Sequence, residues 1–410
     1  MANLKEYIDS YKGLHKGIYA LFFARIISNL GAFVAPFLTM LLTYKVGLDI
    51  AVVGTLVSIN AGLSMVGSII GGKIIDEFGR KKIIIIFRTF SAFLYIACIL
   101  ITSNYLLVTI LMFSSFIDGI SKPVYDTIIM DLTDEEERKI AFSMSYMGLN
   151  IGFAIGPLLA GFLYQNHIEW LFLGDALTTL ISVFLIAIYV PETFSKINKN
   201  SKAKFKKNES TYNVFIKNKI LLIFSVVICM YFMIFSQFHF GLSLQAVEVF
   251  GDKGPKFYGL VMAINAIICS FGTVIVTGFT NKYKSSFNIA LGGMFYTIGF
   301  GMICFVNGIN GLIISTFIWT TGEILVATNT SVFIGKHAPE THRGRFNSLF
   351  PIIRKIGSIS GGIIAGVIVK YLNLFALWIF MSIIAAIGGF IMYKIYINDN
   401  LKDQVEFKSA

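Results

Sequence analysis

Residues 152–161 read GFAIGPLLAG and residues 357–366 read GSISGGIIAG, so four small residues recur at a shift of 205 positions. The same shift carries Gly54 onto Gly259, Asp118 onto Glu323 and Arg138 onto Arg343. A constant offset over half of the 410-residue chain indicates two copies of one structural unit. In an apolar chain, a parallel repeat is typical of transporters that move two helix bundles around a site near the membrane midplane.

The composition indicates several membrane-spanning helices. Apolar residues make up 56% of the chain and charged residues 14%, against about 25% charged residues in soluble globular proteins. Residues 141–166 and 285–322 contain no Asp, Glu, Lys or Arg. About 20 apolar residues cross the ~30 Å hydrocarbon layer as a helix, and continuous apolar runs lack the alternation of barrel strands. The sequence therefore predicts an all-α polytopic membrane protein.

Charge clusters and turn residues divide the chain into twelve predicted spans. The repeat carries the first six onto the last six, so we expect two six-helix bundles related by a pseudo-two-fold axis. The predicted domains are residues 1–190, a basic linker at 191–219, and residues 220–410. The spans lie near 16–43, 50–72, 83–102, 105–129, 140–164, 170–190, 220–246, 257–279, 286–306, 311–333, 346–370 and 373–397.

The basic residues predict the orientation of the spans. They are concentrated after even-numbered spans, with eight lysines between Lys196 and Lys219, whereas opposite loops such as 103–104 are short and uncharged. The positive-inside rule places both termini in the cytoplasm. The net charge of +11 is then a topology signal that also favours contact with anionic membrane lipids, and it gives no ground for a nucleic-acid partner. We expect a monomer in the plasma (inner) membrane of a bacterium.

Three stretches resemble motifs of the major facilitator superfamily. Residues 72–82, GKIIDEFGRKK, are similar to its loop signature G-x-x-x-D-[RK]-x-G-[RK]-[RK], except that Glu77 stands where a basic residue is usual. The first span contains Arg25, Asn29, Gly31 and Pro36 and is similar to that of bacterial twelve-helix multidrug exporters. The third stretch looks like the antiporter motif of the superfamily's drug/proton exporters, and it contains Gly152, Gly156, Pro157 and Gly161.

The resemblance implies the major facilitator fold and a drug/proton antiporter. Many members of that family carry an intramembrane arginine in the fourth span, where Ser115 stands here. In the third stretch, Gly152 and Gly156 permit close helix approach and Pro157 kinks the helix. Two interpretations stay open for that stretch: a tight helix interface alone, or an interface that sets the direction of transport.

The loop stretch has the chemistry of a cytoplasmic gate. Asp76 is expected to sit against the positive end of a neighbouring helix and to pair with Arg80. Gly72 and Gly79 permit a tight turn, and Lys81 extends the cation cluster at the headgroup level. The alternative is a positive-inside cluster that sets topology alone.

Two intramembrane carboxylates are the sharpest candidates for transport chemistry, because charge inside a membrane is costly unless it faces protein or water. Asp118 lies about 20 Å into the fourth span, and Glu323 lies at the matching depth of the tenth. Both are expected to face one cavity. Glu323 has no cation within four residues of sequence and is the preferred proton carrier. Lys122 follows Asp118 by four residues, so a local ion pair is the alternative for that carboxylate.

Other polar residues inside spans are weaker candidates for the cavity. Arg25 and Asn29 share a helix face in the first span. Arg354 either pairs with a carboxylate or extends to the cytoplasmic surface. Gln237 and His239 lie late in the seventh span, where a packing role for the histidine is the alternative to proton relay. A further carboxylate, Asp175, is expected to be interfacial.

These observations predict a secondary active transporter for amphiphilic drugs or metabolites, coupled to protons and working by alternating access. A lipid or glycolipid flippase and a metabolite symporter are alternatives on the same fold, and a non-transporting receptor is a third class. The chain has no G-x-x-x-x-G-K-[ST] loop for ATP. It has no His, Cys and carboxylate cluster with metal-ligand spacing. We therefore expect no cofactor, no metal and no enzymatic activity.

Overall fold

The structure, a computed structural model, describes residues 13–193, 215, 218–339 and 343–409. Within these ranges the chain is helical and contains no β-strand, which confirms the predicted all-α class. Most of the predicted linker at 191–219 lies outside the described residues.

Apolar helices make up the first half of the chain. A break at residues 31–33 separates the first two, and the second continues into a π-helical turn, Leu41–Lys45. Gly31 is required at this break, because a Cβ there would lie 1.7 Å from Thr178 Oγ1. The described helices are α1 (Lys16–Leu30), α2 (Val34–Met40), α3 (Ile50–Phe78), α4 (Arg80–Leu100), α5 (Asn104–Leu132), α6 (Glu135–Asn166) and α7 (Glu169–Tyr189).

The second half repeats this pattern with more interruptions. Gly251, at φ +56°, ends one helix in the left-handed region that favours glycine. A second π-helical turn, Ile268–Gly272, interrupts the next span. The described helices are α8 (Lys219–Phe235), α9 (Gly241–Phe250), α10 (Gly254–Ile267), α11 (Thr273–Thr280), α12 (Ser285–Met302), α13 (Ile309–His337), α14 (Arg343–Tyr371) and α15 (Leu374–Ser409).

The described residues contain eleven helical segments that are long and apolar enough to cross a membrane. One of them, Lys219–Thr280, has 62 residues, whereas about 20 residues suffice for one crossing. Division of this segment near Gly251 gives the seventh and eighth predicted spans. The predicted count of twelve therefore agrees with the helices of the structure.

Contacts divide the chain into two compact units. Unit 1 comprises Met1–Val46, Ile59–Asn198 and Tyr258–Ala266. Unit 2 comprises Gly47–Ser58, Lys199–Phe257 and Ile267–Ala410. Each unit thus takes one short segment from the opposite half of the sequence. The predicted domain boundaries, and the two-fold axis between the bundles, stay predictions.

Glycines bring α6 against α1 in unit 1. A Cβ at Gly152 would lie 2.6 Å from Asn29 Cβ and 2.8 Å from the carbonyl oxygen of Ile26, and one at Gly156 would lie 2.7 Å from the carbonyl oxygen of Leu30. These spacings are closer than side chains permit, so the close helix approach predicted from the Gly-x-x-x-Gly pattern is present. This close contact between the two helices fixes the position of Asn29 of α1 relative to α6.

The remaining residues of this stretch pack as well. Pro157 lies inside α6, and a Cβ at Gly259 of α10 would lie 2.2 Å from the Pro157 carbonyl oxygen. Gly161 is buried. These distances support the interpretation of residues 152–161 as a tight helix interface. A role of these residues in the direction of transport stays a prediction.

Candidate functional site

Unit 1 contains a cavity of about 540 Å³ within its helix bundle, a volume typical of small-molecule sites. Its apolar wall includes Leu38, Leu111, Leu149 and Phe153. Its polar wall brings together three Arg or Lys side chains and three Asp side chains: Arg25, Arg88, Lys122, Asp118, Asp126 and Asp175. An apolar surface with a few convergent polar groups is the usual construction of a ligand site.

An ion pair between α4 and α5 forms the centre of the polar wall. Arg88 Nη1 donates to Asp118 Oδ1 at 3.0 Å, and Tyr95 Oη donates to Asp118 Oδ2 at 3.1 Å. The side chains of Arg88 and Asp118 are 15% and 19% exposed. Because the two charges are mostly withdrawn from water, each depends on the other for compensation.

Arg88 also connects this pair to two further helices. Its Nη2 donates to Ser28 Oγ of α1 and, at 3.4 Å, to Thr179 Oγ1 of α7. A guanidinium presents its donors in a fixed planar fork, so one side chain holds partners on three helices at once. Four helices of unit 1 therefore meet at Arg88.

The alternative predicted for Asp118, a local ion pair with Lys122, is wrong. Lys122 Nζ donates to Ser64 Oγ of α3 at 2.7 Å, and Asp118 is paired with Arg88. The rigid fork of Arg88 satisfies the carboxylate of Asp118 with good geometry from the facing helix, whereas the lysine four residues on extends toward α3. Both residues line the unit 1 cavity.

Arg25 and Asn29 also line the cavity. Arg25 Nη2 lies 3.1 Å from Asp126 Oδ1 in an ion pair, and Nη1 donates to Ser145 Oγ at 2.5 Å. The guanidinium carbon lies 5.0 Å from the ring centroid of Tyr125, within range of a cation–π contact. Asn29 Nδ2 donates to the Arg25 carbonyl oxygen at 2.8 Å.

Asp175 is buried, not interfacial as the sequence predicted. It is 7% exposed, and its Oδ2 accepts a hydrogen bond from the backbone N–H of Val34 at 3.2 Å. Val34 is the first residue of α2, so this carboxylate satisfies a backbone donor that the break after α1 leaves without a helical partner. The break and Asp175 therefore form one structural feature.

Glu323 lies in unit 2, near the middle of α13. Its Oε2 accepts a hydrogen bond from Cys269 Sγ at 3.6 Å. Cys269 belongs to the π-helical turn Ile268–Gly272, a backbone form that recurs at functional sites. The roles predicted for Glu323, as a proton carrier and as a residue that faces the same cavity as Asp118, stay predictions.

The other predicted cavity residues of unit 2 make packing contacts. Gln237 is fully buried, and its Nε2 donates to the carbonyl oxygens of Met233 and Gly361, each at 3.1 Å. It therefore joins α14 to the turn that follows α8. The ring of His239 lies 4.9 Å from that of Phe238.

Arg354 of α14 stacks on an aromatic ring. Its guanidinium carbon lies 5.2 Å from the ring centroid of Phe232 in α8. Its Nε is buried and makes no hydrogen bond within the described part of the chain. In this contact the charge rests on a π face. Pairing of Arg354 with a carboxylate and its extension to the cytoplasmic surface stay predictions.

The loop between α3 and α4 is held by an acidic residue that follows α7. Glu192 accepts hydrogen bonds from the backbone N–H groups of Arg80 (2.9 Å), Lys81 (3.3 Å) and Lys82 (3.1 Å). A carboxylate at this position satisfies free donors and the positive end of α4. Gly79 precedes the helix with φ +100°, where a side chain would be strained.

The side chain of Arg80 pairs with the end of α5. Its Nε lies 3.1 Å from Asp131 Oδ2, which also accepts from Thr193 Oγ1 at 2.7 Å. The side chain of Asp76 lies outside the described residues, so its pairing with Arg80 and the gating role stay predictions. Gly72 is exposed, and a Cβ there would meet nothing within 4 Å.

Sequence reasoning missed Arg88 and Glu192. The signal for Arg88 was present, because residues 83–90 read IIIIFRTF and place one cation within an apolar run. Glu192 carried no such signal, since its partners are 110 or more residues away in the chain. Among the described residues, no group of three or more His, Cys, Asp or Glu side chains is placed to hold a metal ion.

Comparison with known proteins identifies the family. The chain is 23% identical over 343 residues to the Na(+), Li(+), K(+)/H(+) antiporter of Planococcus maritimus, covering 76% of this chain and 80% of that one. It is 24% identical over 369 residues to the quinolone resistance protein NorA of Staphylococcus aureus (strain MSSA476), covering 86% and 90%.

The fold is similar to that of solved transporters. The crystal structure of the nucleoside transporter NupG matches with a TM-score of 0.78 at 16% identity, covering 93% of this chain and 99% of that one. The sequence model of the Major Facilitator Superfamily matches residues 21–362. This family consists of transporters, and the Planococcus maritimus relative is named an antiporter, so the predictions of a transporter and of no enzyme are confirmed. The chain belongs to the Major Facilitator Superfamily.

Proposed function

We propose that this protein is a proton-coupled exporter of amphiphilic small molecules in the bacterial plasma membrane, with both termini in the cytoplasm. The observation that carries the proposal is the Arg88–Asp118 ion pair on the wall of the unit 1 cavity. Ion pairs inside an apolar bundle are costly. A pair that faces a ligand-sized cavity couples the charge state of the protein to what occupies the cavity.

Protonation of Asp118 supplies the coupling step. The neutral carboxyl group no longer compensates Arg88, so the guanidinium changes its partners among Ser28, Thr179 and the cavity. Those partners lie on α1 and α7, and the rearrangement therefore shifts helices of unit 1 relative to α5. Glu323 of unit 2 supplies a second protonatable group, and its protonation state also changes with the conformation of the protein.

The relatives support this direction of transport. One is named an ion/H(+) antiporter and another a quinolone resistance protein. Both names are compatible with export driven by proton entry.

A test uses the purified protein in liposomes that contain a pH-sensitive dye and are acidified inside. Amphiphilic cations, anions and neutral compounds are added outside, and the dissipation of the pH gradient is followed. We expect at least one compound to accelerate proton release from wild-type liposomes and none to do so with Asp118→Asn. Substrate accumulation that is insensitive to the pH gradient would contradict proton coupling. Movement of substrate and proton in the same direction would establish symport instead.

A further inference from the structure

One of the three basic side chains that line the unit 1 cavity forms no ion pair with a described carboxylate. Arg25 and Arg88 are each paired with a carboxylate. Lys122 is not: its Nζ donates to the neutral Ser64 Oγ at 2.7 Å, and no carboxylate among the described residues lies within ion-pair distance of it. An ammonium group has three donors and no acceptor. Two of the three donors of Lys122 therefore remain for a ligand.

A buried hydroxyl beside Lys122 is also without a partner. Ser121 is 1% exposed, lines the same cavity, and its Oγ makes no hydrogen bond to any described residue. The Nε of Arg88 is buried and lacks an acceptor in the same way. Native structures leave few buried polar atoms unsatisfied, and such atoms at a cavity indicate a missing partner. All three groups need an acceptor.

The carboxylates of the cavity are already occupied. A cationic ligand would have to share Asp118 with Arg88 and Tyr95, which contact both of its oxygens, or share Asp126 with Arg25. Asp175 is 7% exposed and engaged with the backbone N–H of Val34. An anionic ligand has no such competitor at Lys122, whose Nζ donates only to Ser64 Oγ among the described residues.

We infer that the cavity binds organic anions, with the anionic group on Lys122 Nζ and Ser121 Oγ and the apolar body against Leu149 and Phe153. This inference rests on the proposed function and names its substrate class: an amphiphilic acid. Lys122 follows Asp118 by four residues, so both lie on the same face of α5. The bound anion therefore sits close to the ion pair that is proposed to take up the proton.

The test measures binding to the full-length protein in lipid nanodiscs without a pH gradient. Three fluorescent probes that share one apolar group are compared by polarisation: dansyl-phenylalanine as the anion, its methyl ester as the neutral form, and dansylcadaverine as the cation. Empty nanodiscs provide the correction for partition into lipid. We expect the anion to bind about tenfold more tightly than the ester and the cation.

Variants then assign this preference to the cavity. Lys122→Gln should weaken binding of the anion about tenfold and leave the ester unchanged, and Lys122→Arg should retain the preference. Ser121→Ala should weaken the anion about threefold. Lys139→Gln removes the same charge at an exposed position outside the cavity and should bind all probes like the wild type. Size-exclusion chromatography and thermal melting establish that each variant is folded.

Three results would overturn the inference: no binding of the anion, equal affinity for anion and ester in the wild type, or a preference that survives Lys122→Gln. The assay contains no proton gradient, so it is independent of proton coupling. A Lys122-dependent preference for anions, together with a failure of the liposome test, would refute the proposed function and leave the substrate class standing.

Discussion

Arg88 of α4 and Asp118 of α5 form an ion pair with 3.0 Å between Nη1 and Oδ1, on the wall of the unit 1 cavity. Tyr95 also donates to Asp118, and Ser28 and Thr179 accept from Arg88. Four helices therefore depend on one pair of opposite charges. The pair holds these helices together, and protonation of Asp118 would break it.

Removal of one partner should destabilise the protein more than removal of both. Arg88→Met leaves the carboxylate of Asp118 without its cation, at a cost of about 3 kcal/mol. The double variant Arg88→Met/Asp118→Leu replaces the pair by apolar groups and should recover most of this loss. Thermal melting of the purified protein in detergent measures both. Equal melting temperatures for the wild type and Arg88→Met would show that the pair does not hold these helices together.

Glu192 should stabilise the start of α4. Glu192→Gln keeps the size of the side chain but removes the charge that three backbone N–H groups approach. We expect a loss of about 1 kcal/mol, the usual range for a helix N-cap, seen as a lower melting temperature. Faster hydrogen exchange at residues 80–82 should accompany it. Glu77→Gln, an exposed carboxylate in the same loop region, is the control and should change neither quantity.

Gly152→Ala should separate α6 from α1. The added Cβ would lie 2.6 Å from Asn29 Cβ and 2.8 Å from the Ile26 carbonyl oxygen, so the helices must move apart. We expect a destabilisation of about 1–3 kcal/mol from overpacking. Gly278→Ala is the matched control, because nothing lies within 4 Å of a Cβ there. In α11 alanine is the better helix former, so that variant should be neutral or slightly more stable.

The Asp49–Lys370 ion pair predicts a pH dependence of stability. Lys370 Nζ lies 3.2 Å from Asp49 Oδ2, and the hydrogen bond from Lys370, supported by the Ala51 N–H, holds the pKa of Asp49 below its ordinary value of 3.8. A carboxyl group whose pKa is lower in the folded state contributes stability above its unfolded pKa, and loses it as the pH falls through the folded pKa.

The difference in melting temperature between wild type and Asp49→Asn should therefore be constant from about pH 7 to pH 5, and should shrink below about pH 4. The difference should be small, because both side chains are exposed. Lys370→Met should remove the same pH-dependent contribution. A difference that grows as the pH falls would have the wrong sign for this pair.

The repeat and the apolar runs predicted the helical class and the spans, because membrane crossing imposes length and composition directly on the sequence. Asp118 was predicted on the same ground, the cost of intramembrane charge. Arg88 satisfies that criterion equally, about 12 Å into α4. A search for every charge inside a predicted span would have found both partners.

It was harder to predict which side chains pair with each other than to predict which residues belong to the candidate site. Lys122 is near Asp118 in sequence, yet the partner of Asp118 is 30 residues earlier in the chain and the partner of Lys122 is 58 residues earlier. Sequence spacing predicts contacts along one helix, whereas contacts between helices depend on rotation and packing that spacing does not encode. The hydrogen bonds of Glu192 with the start of α4 also join distant parts of the sequence, so spacing does not predict them.

The most direct test of the account is the number of protons that move with each substrate molecule in proteoliposomes, compared between wild type, Asp118→Asn and Glu323→Gln. The substrate is whichever amphiphile dissipates the gradient in the wild type. We predict that Asp118→Asn exchanges this substrate down its own gradient but moves no protons with it. If Asp118→Asn moves protons with substrate in the same ratio as the wild type, Asp118 is not the coupling group; loss of coupling in Glu323→Gln alone would then assign that role to Glu323.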